Sequence, residues 1–197
     1  MATKRQIGLK DFHVCKIISD TPGEGAVYES PVRVPGIISA TMSTERTTEN
    51  YYSDDIVEET FSSFNSISLE VEISNLSQDE RALLLGQKVQ AGVSAASADD
   101  VSSEVGIMFR SKRTDGRYRY VALTRGKFVE PSESFASESD SLSPQTLTLT
   151  FTGIPLQCNG IYKITADEGE EDIDPTYLRN FFQEMKWQLP LETLSEE

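Results

Sequence analysis

Residues 66–74 read SISLEVEIS, and the apolar positions fall on every second residue: Ile67, Leu69, Val71 and Ile73 point one way, Ser68, Glu70 and Glu72 the other. This period predicts a half-buried strand with an acidic, wet face. Residues 146–152, TLTLTFT, repeat it, with Leu147, Leu149 and Phe151 opposed by threonines whose β-branching suits a pleated surface. Residues 109–112 and 118–124 flank Thr114-Asp115-Gly116, where the Asp-Gly pair tolerates the positive φ of a tight turn, so a hairpin is predicted. A weaker hairpin joins residues 13–19 to 26–29 across Pro22-Gly23-Glu24-Gly25, and residues 34–42 read as a strand entered through Pro35-Gly36. Strands without βαβ alternation predict a mainly β, antiparallel fold, a sandwich or barrel.

Two helices interrupt the pattern. Ser77 opens S-Q-D-E, a capping box with Glu80, and Gly86 supplies a left-handed stop after about two turns. So short a helix persists only when packed, here through Ala82, Leu83, Leu84 and Leu85. A C-terminal helix is expected over about 174–188, with Asp174 as N-cap, Pro175 at the first position, a stripe of Tyr177, Leu178, Phe181, Phe182 and Met185, and Pro190 closing it. Residues 44–64 are polar and unpatterned apart from Tyr51, Tyr52 and Ile56, and read as a long loop. The Ser/Glu run at 131–143 reads as another.

At 197 residues, with 38% hydrophobic and 25% charged content, the chain fits one globular domain spanning 1–197. No apolar stretch reaches the roughly 18 to 20 residues of a membrane span, and MATKRQIGLKDF lacks the apolar core of a signal peptide, so a cytosolic origin is expected. Cys15 and Cys158 lie far apart in segments read as strands, which favours two small buried hydrophobes over a disulfide.

The net charge of −14 opposes nucleic-acid clamping, which needs cations to replace counterions. Its distribution is uneven. Residues 110–127 carry seven basic side chains against Asp115, whereas residues 167–197 carry ten acids against Arg179 and Lys186. Residues 45–59 add six acids against Arg46. Such segregation suits complementary contact between copies, and equally suits solvated faces.

Catalytic chemistry is sparse. His13 is the one histidine, without a nucleophile motif beside it, and reads as structural. One His and two distant Cys do not compose a usual zinc site. The acidic run at 167–172 lacks EF-hand ligand order, no phosphate-cradling glycine motif occurs, and no carboxylate pair stands out as a glycosidase couple. No catalytic, metal or cofactor residue is therefore assigned, and the pattern describes a building block better than an enzyme.

Residues 106–126, GIMFRSKRTDGRYRYVALTRG, continue as KFVEP. This stretch resembles the major tail tube proteins of long-tailed (siphovirus-type) bacteriophages, which show a comparable G-F-x-[SA]-K-x-x-x-G-K-Y-R-Y-V hairpin and a G-K-F strand. IGLKDFHVCKI near the start, Tyr52-Ser53-Asp54-Asp55, LEVEISNLSQDERALLLG and NGIYKI before an acidic turn match in family order over nearly the whole chain. Arg117 stands where Lys is more usual, and Ser-rich insertions at 91–103 and 132–143 enlarge the loops.

The resemblance implies the phage tail tube fold and a virion protein, held in the host cytoplasm before assembly, that forms hexameric rings stacked into a tube for DNA ejection. It implies as partners further copies of itself, a tape measure protein, a tail terminator and baseplate or tail-tip proteins, with DNA passing without specific binding and no membrane. On that reading a lumen should repel phosphate, which makes Glu70 and Glu72 candidate lumen residues, unless theirs is an acidic outer face. The 44–64 loop, with Tyr51, Tyr52, Asp54 and Asp55, is the candidate ring-to-ring contact. Arg113, Arg117 and Arg119 are candidates for electrostatic contact with the next copy. The C-terminal helix is expected to cover its own sheet. A monomeric β-sandwich binding module is the alternative reading, and an acidic-pair hydrolase a more distant one.

Overall fold

The computed structural model describes residues 5–53, 56–132 and 146–190. In chain order the elements are β1 (Gln6–Thr21), β2 (Gly25–Tyr28), β3 (Val32–Arg33), β4 (Ile37–Ser53), β5 (Ile56–Ile73), α1 (Gln78–Leu85), β6 (Lys88–Gln90), β7 (Val93–Ala95), β8 (Val105–Arg113), β9 (Tyr118–Ser132), β10 (Leu147–Ile154), β11 (Lys163–Asp167) and α2 (Pro175–Arg179). The fold is mostly β, in antiparallel sheets with two helices. It divides into two compact units, and β9 contributes its first half, to Arg125, to one and its second half to the other.

The first unit holds β1, β2, β3, β8, the start of β9, β11 and α2. β1 pairs antiparallel with β2, β3 and β8, and β11 pairs with β9 from Lys163↔Leu123 to Asp167↔Arg119. Both expected hairpins in this unit form. Neighbouring residues Val14 and Cys15 are each 0% exposed, so β1 is covered on both faces there, which explains why its sequence does not alternate. One core joins Cys15, Met108, Tyr120, Ala122, Ile164, Phe181 and Met185. Burial pushes the Cys15 thiol up to about 12, making it an inert packing group. Cys158 departs from expectation: it lies in a turn and is half-buried.

The C-terminal helix is far shorter than the expected 174–188. Asp174 caps it through Thr176 N–H at 2.7 Å, but the helix ends at Arg179 and gives way to turns. Phe181 N–H donates to Leu178 O and Gln183 N–H to Asn180 O, both three residues back. These tighter turns place consecutive Phe181 and Phe182 where one is fully buried and the other reaches His13 at 4.8 Å.

In the second unit β5 lies between β10 and β4, with the end of β9 beside β10. Ile67, Leu69, Val71 and Ile73 are all 0% exposed, and with Leu149, Phe151 and Phe128 they form the core face, as the alternation predicts. Phe128 and Phe151 meet at 5.3 Å between ring centroids. A Cβ at Gly126 would stand 2.3 Å from the Phe151 ring, so only glycine lets β9 approach this closely. α1 carries the expected capping box, and its stop, Gly86, has φ of 73°. The Ser-rich stretch from Ala91 is not all loop: β6 and β7 form a small hairpin around Ala91-Gly92, both at positive φ.

The largest departure concerns residues 44–64. They are not a loop. They continue β4 and β5 in register from Thr44↔Ile67 to Ser53↔Ile56, with bulges at Glu45/Arg46 and Tyr51/Tyr52. Threonine, tyrosine and valine favour strand here, yet both faces meet solvent, so the period-two contrast that betrays a half-buried strand is missing. Asp54 and Asp55 lie outside the described residues, as does most of the 131–143 run.

Candidate assembly surfaces

Three surfaces gather the residues singled out by sequence. The first is the outer face of the second unit's sheet. Register places Ser39, Thr41, Ser43 and Glu45 of β4 beside Glu72, Glu70, Ser68 and Ser66 of β5, and Glu72, Glu70 and Ser68 in turn beside Thr148, Thr150 and Thr152 of β10. Cross-strand partners share a face, so these three strands present hydroxyls and carboxylates together, and no cation among the described residues of that set. The two glutamates differ. Glu72 is half-buried and ties the strands together, Oε1 accepting from Thr146 Oγ1 at 2.9 Å and Oε2 from Ser39 Oγ at 3.0 Å. Glu70 is exposed.

The second surface is the distal part of β4 and β5. β10 pairs with β5 only from Ile73 to Ile67, so residues 56–66 have β4 as their sole strand partner among the described residues. The result is a two-stranded ribbon about 30 Å long at ~3.4 Å per residue. Its end is apolar and uncovered: Tyr51 is 57% exposed, Tyr52 68%, Ile56 70% and Phe61 50%. Tyr51 packs edge-on against Phe61 at 5.4 Å, while Thr60–Asn50 and Asn65–Thr47 hydrogen bonds cross the ribbon lower down. Glu45, Glu49, Glu58 and Glu59 against Arg46 make it acidic. Sequence reading picked out Tyr51 and Tyr52 but missed Phe61 and Val57, which only the pairing brings to them.

The third is the basic hairpin of β8 and β9, where position revises the expectation. Arg119 donates twice to Asp167, Nε to Oδ1 and Nη2 to Oδ2, each at 2.6 Å. Those hydrogen bonds hold its guanidinium above the ordinary arginine range. Arg113 is 4% exposed, with Nη1 3.3 Å from Asp167 Oδ2, outside hydrogen-bond geometry, and Nη2 3.4 Å from Asp115. Two of the three arginines expected to meet a neighbouring copy thus face a carboxylate of their own chain. Arg117 is exposed and donates to Gly169 O at 3.1 Å, with no carboxylate partner among the described residues. The same self-pairing recurs nearby: Arg110 with Asp11, and Arg125 with Glu104 and with Asp20. Asp20 in turn accepts from the N–H groups of Gln157 and Cys158, fixing that turn. The signal was available, since β11 carries Asp167 directly opposite Arg119, but sequence alone does not supply the register.

His13 sits on β1 against Phe182, with Nδ1 2.9 Å from Asp11 O, and serves packing. Among the described residues no cluster of three or more His, Cys, Asp or Glu side chains could hold a metal ion. No helix among them is long and apolar enough to cross a membrane.

A family model described as phage tail tube protein matches residues 7–185. A solved structure, the cryo-EM structure of the anti-feeding prophage cap (AFP tube terminating cap), is similar over 85% of this chain and 95% of that one, at 13% identity and a TM-score of 0.45. No curated protein matches the sequence.

Proposed function

The chain belongs to the phage tail tube protein family, and from that premise we propose that it is a non-catalytic virion subunit whose copies close into hexameric rings and stack into the tail tube. The tube is the conduit for DNA ejection. Subunits wait in the host cytoplasm, and the finished tube meets a tape measure protein, a tail terminator and baseplate or tail-tip proteins. The observation that carries this reading is the three-stranded face of hydroxyls and carboxylates without a cation. A wall passed by a polyanion must not offer Lys or Arg to replace its counterions, and Glu70 and Glu72 turned to the lumen meet that need. The ribbon supports the assembly half of the proposal. A two-stranded hairpin is marginal alone in water, and its exposed Tyr51, Tyr52 and Phe61 gain from burial against another ring. Asp54 and Asp55, beside it in sequence, belong to the same proposed contact. Of the three arginines, Arg117 is the one left to answer an acidic neighbour.

Electron microscopy of the purified protein, with and without a tail-tip initiator and across salt concentration, tests this directly. Six-fold rings or hollow tubes are expected, fewer at high salt. The double variant Tyr51→Ser/Tyr52→Ser should melt within about 0.5 kcal/mol of the parent and yet form no tubes. A wild-type chain that stays monomeric with the initiator present would sink the proposal in favour of a monomeric binding module.

A further inference from the structure

The ribbon tip needs a seat, and the first unit contains a groove suited to it. A cavity of about 600 Å³ is walled by Tyr120, Ile173, Leu178 and Phe182, between the strand face and α2. Its charge favours an acidic guest. Arg110 lines it and is Lys10's cross-strand partner, so Lys10 shares its face, and Lys112, two residues along β8, shares it too. Arg179 stands on the helix side, exposed. Lys10, Lys112 and Arg179 make no ion pair among the described residues. Arg110 is matched by Asp11. The acids lining the groove are Glu168, which accepts from Tyr118 N–H at 2.8 Å and keeps its charge, and Glu170, two against the three cations Lys10, Lys112 and Arg179. The excess is positive.

We infer that this groove receives the ribbon tip of a second copy, Tyr52 and its cross-strand partner Val57 entering the apolar floor while Glu59 faces Lys10, Lys112 and Arg179. The inference rests on the tube-subunit reading. Tip and groove are different surfaces of one chain, which lets a copy hold one neighbour's tip while its own tip enters another. Two other cavities suit this guest less. The one beside α1 sets Lys127 against Asp100 and Glu130, and the one at Tyr28 is edged by Glu29 and Glu184 without a cation in its wall.

The test replaces Tyr52 with the photo-reactive aromatic p-benzoylphenylalanine and mixes these subunits with isotope-labelled wild-type chains. Tubes are verified by microscopy, irradiated, digested and mapped by mass spectrometry. Links from position 52 to peptides within 173–182 of the labelled copy are expected. In the native background, Arg179→Glu should raise the concentration needed for assembly about tenfold, and adding Glu59→Lys should restore it. Tubes whose links map elsewhere, or whose assembly ignores Arg179→Glu, overturn the groove and leave the tube reading standing. Absence of rings or tubes from wild-type protein with an initiator overturns both.

Discussion

The two long hairpins of this chain are built from similar material and end differently. β8–β9 and distal β4–β5 are both antiparallel, both highly charged and both carry aromatic residues. In the first, Met108, Tyr120 and Ala122 are buried and Arg110, Arg113 and Arg119 face carboxylates of their own chain. In the second, Tyr51, Tyr52 and Phe61 lie in solvent. The contrast separates what a subunit completes by itself from what it leaves to be completed. It also shows that charge segregated along a sequence need not be segregated in space, since the basic and acidic runs meet at Arg119 and Asp167.

The sharpest way to break this contrast uses one residue type, packed on the first hairpin and carried by the second. Phe181 is 0% exposed and packs on Tyr120 at 5.1 Å and Phe182 at 5.4 Å, so Phe181→Ala leaves a cavity and should cost about 3–5 kcal/mol in a urea melt. Phe61 also makes a ring contact but is 50% exposed, and Phe61→Ala should move the midpoint by no more than about 0.5 kcal/mol. Comparable losses would mean that the ribbon is part of the subunit's own core and that its aromatics are not held out for a partner.

Charge offers the next test. Asp167→Asn keeps the shape of the side chain but strips the anion from beside Arg113, whose side chain is 5% exposed, and from the twin hydrogen bonds of Arg119. A buried arginine left with Asp115, 3.4 Å away, as its remaining counter-charge should lower stability by about 3 kcal/mol. Glu59→Gln on the ribbon should leave the melt unchanged. A silent Asp167→Asn would show the clasp to be ornamental and return Arg113 and Arg119 to the pool available for contact between copies.

What was legible in the sequence follows from the same contrast. The strands at 66–74 and 146–152 announced themselves because one face is core and one is wet, and the α1 cap because Ser77 and Glu80 satisfy each other locally. The ribbon was invisible as strand because Thr47, Thr48, Ser62 and Ser63 meet solvent whichever way they point. The C-terminal helix was overcalled because Tyr177, Leu178, Phe181 and Phe182 satisfy helical spacing and tight-turn packing alike, and only the core they fill decides between them. Of the candidate sites, the acidic face and the tyrosines could be found by spacing. The Arg–Asp167 clasp and the groove at α2 could not, because each joins segments some fifty or more residues apart through a register that no local pattern encodes.

The smallest effect discriminates within one face. Glu70 and Glu72 point the same way from the same strand and carry the same charge, so a lumen that repels DNA should treat them as equals. Their partners differ. Glu72→Ala removes the acceptor for Ser39 and Thr146 and with it a link across three strands, and should cost about 1 kcal/mol. Glu70→Ala should cost less than about 0.5 kcal/mol. Glu72→Gln should recover most of the loss, because its amide oxygen still accepts from one hydroxyl and its NH₂ can donate to the other. If Glu72→Gln melts like Glu72→Ala, the charge and not the hydrogen-bond geometry holds the strands. A slowing of DNA ejection by Glu70→Ala alone, equal to that by Glu72→Gln, would then be the signature of electrostatic repulsion free of any change in the wall itself.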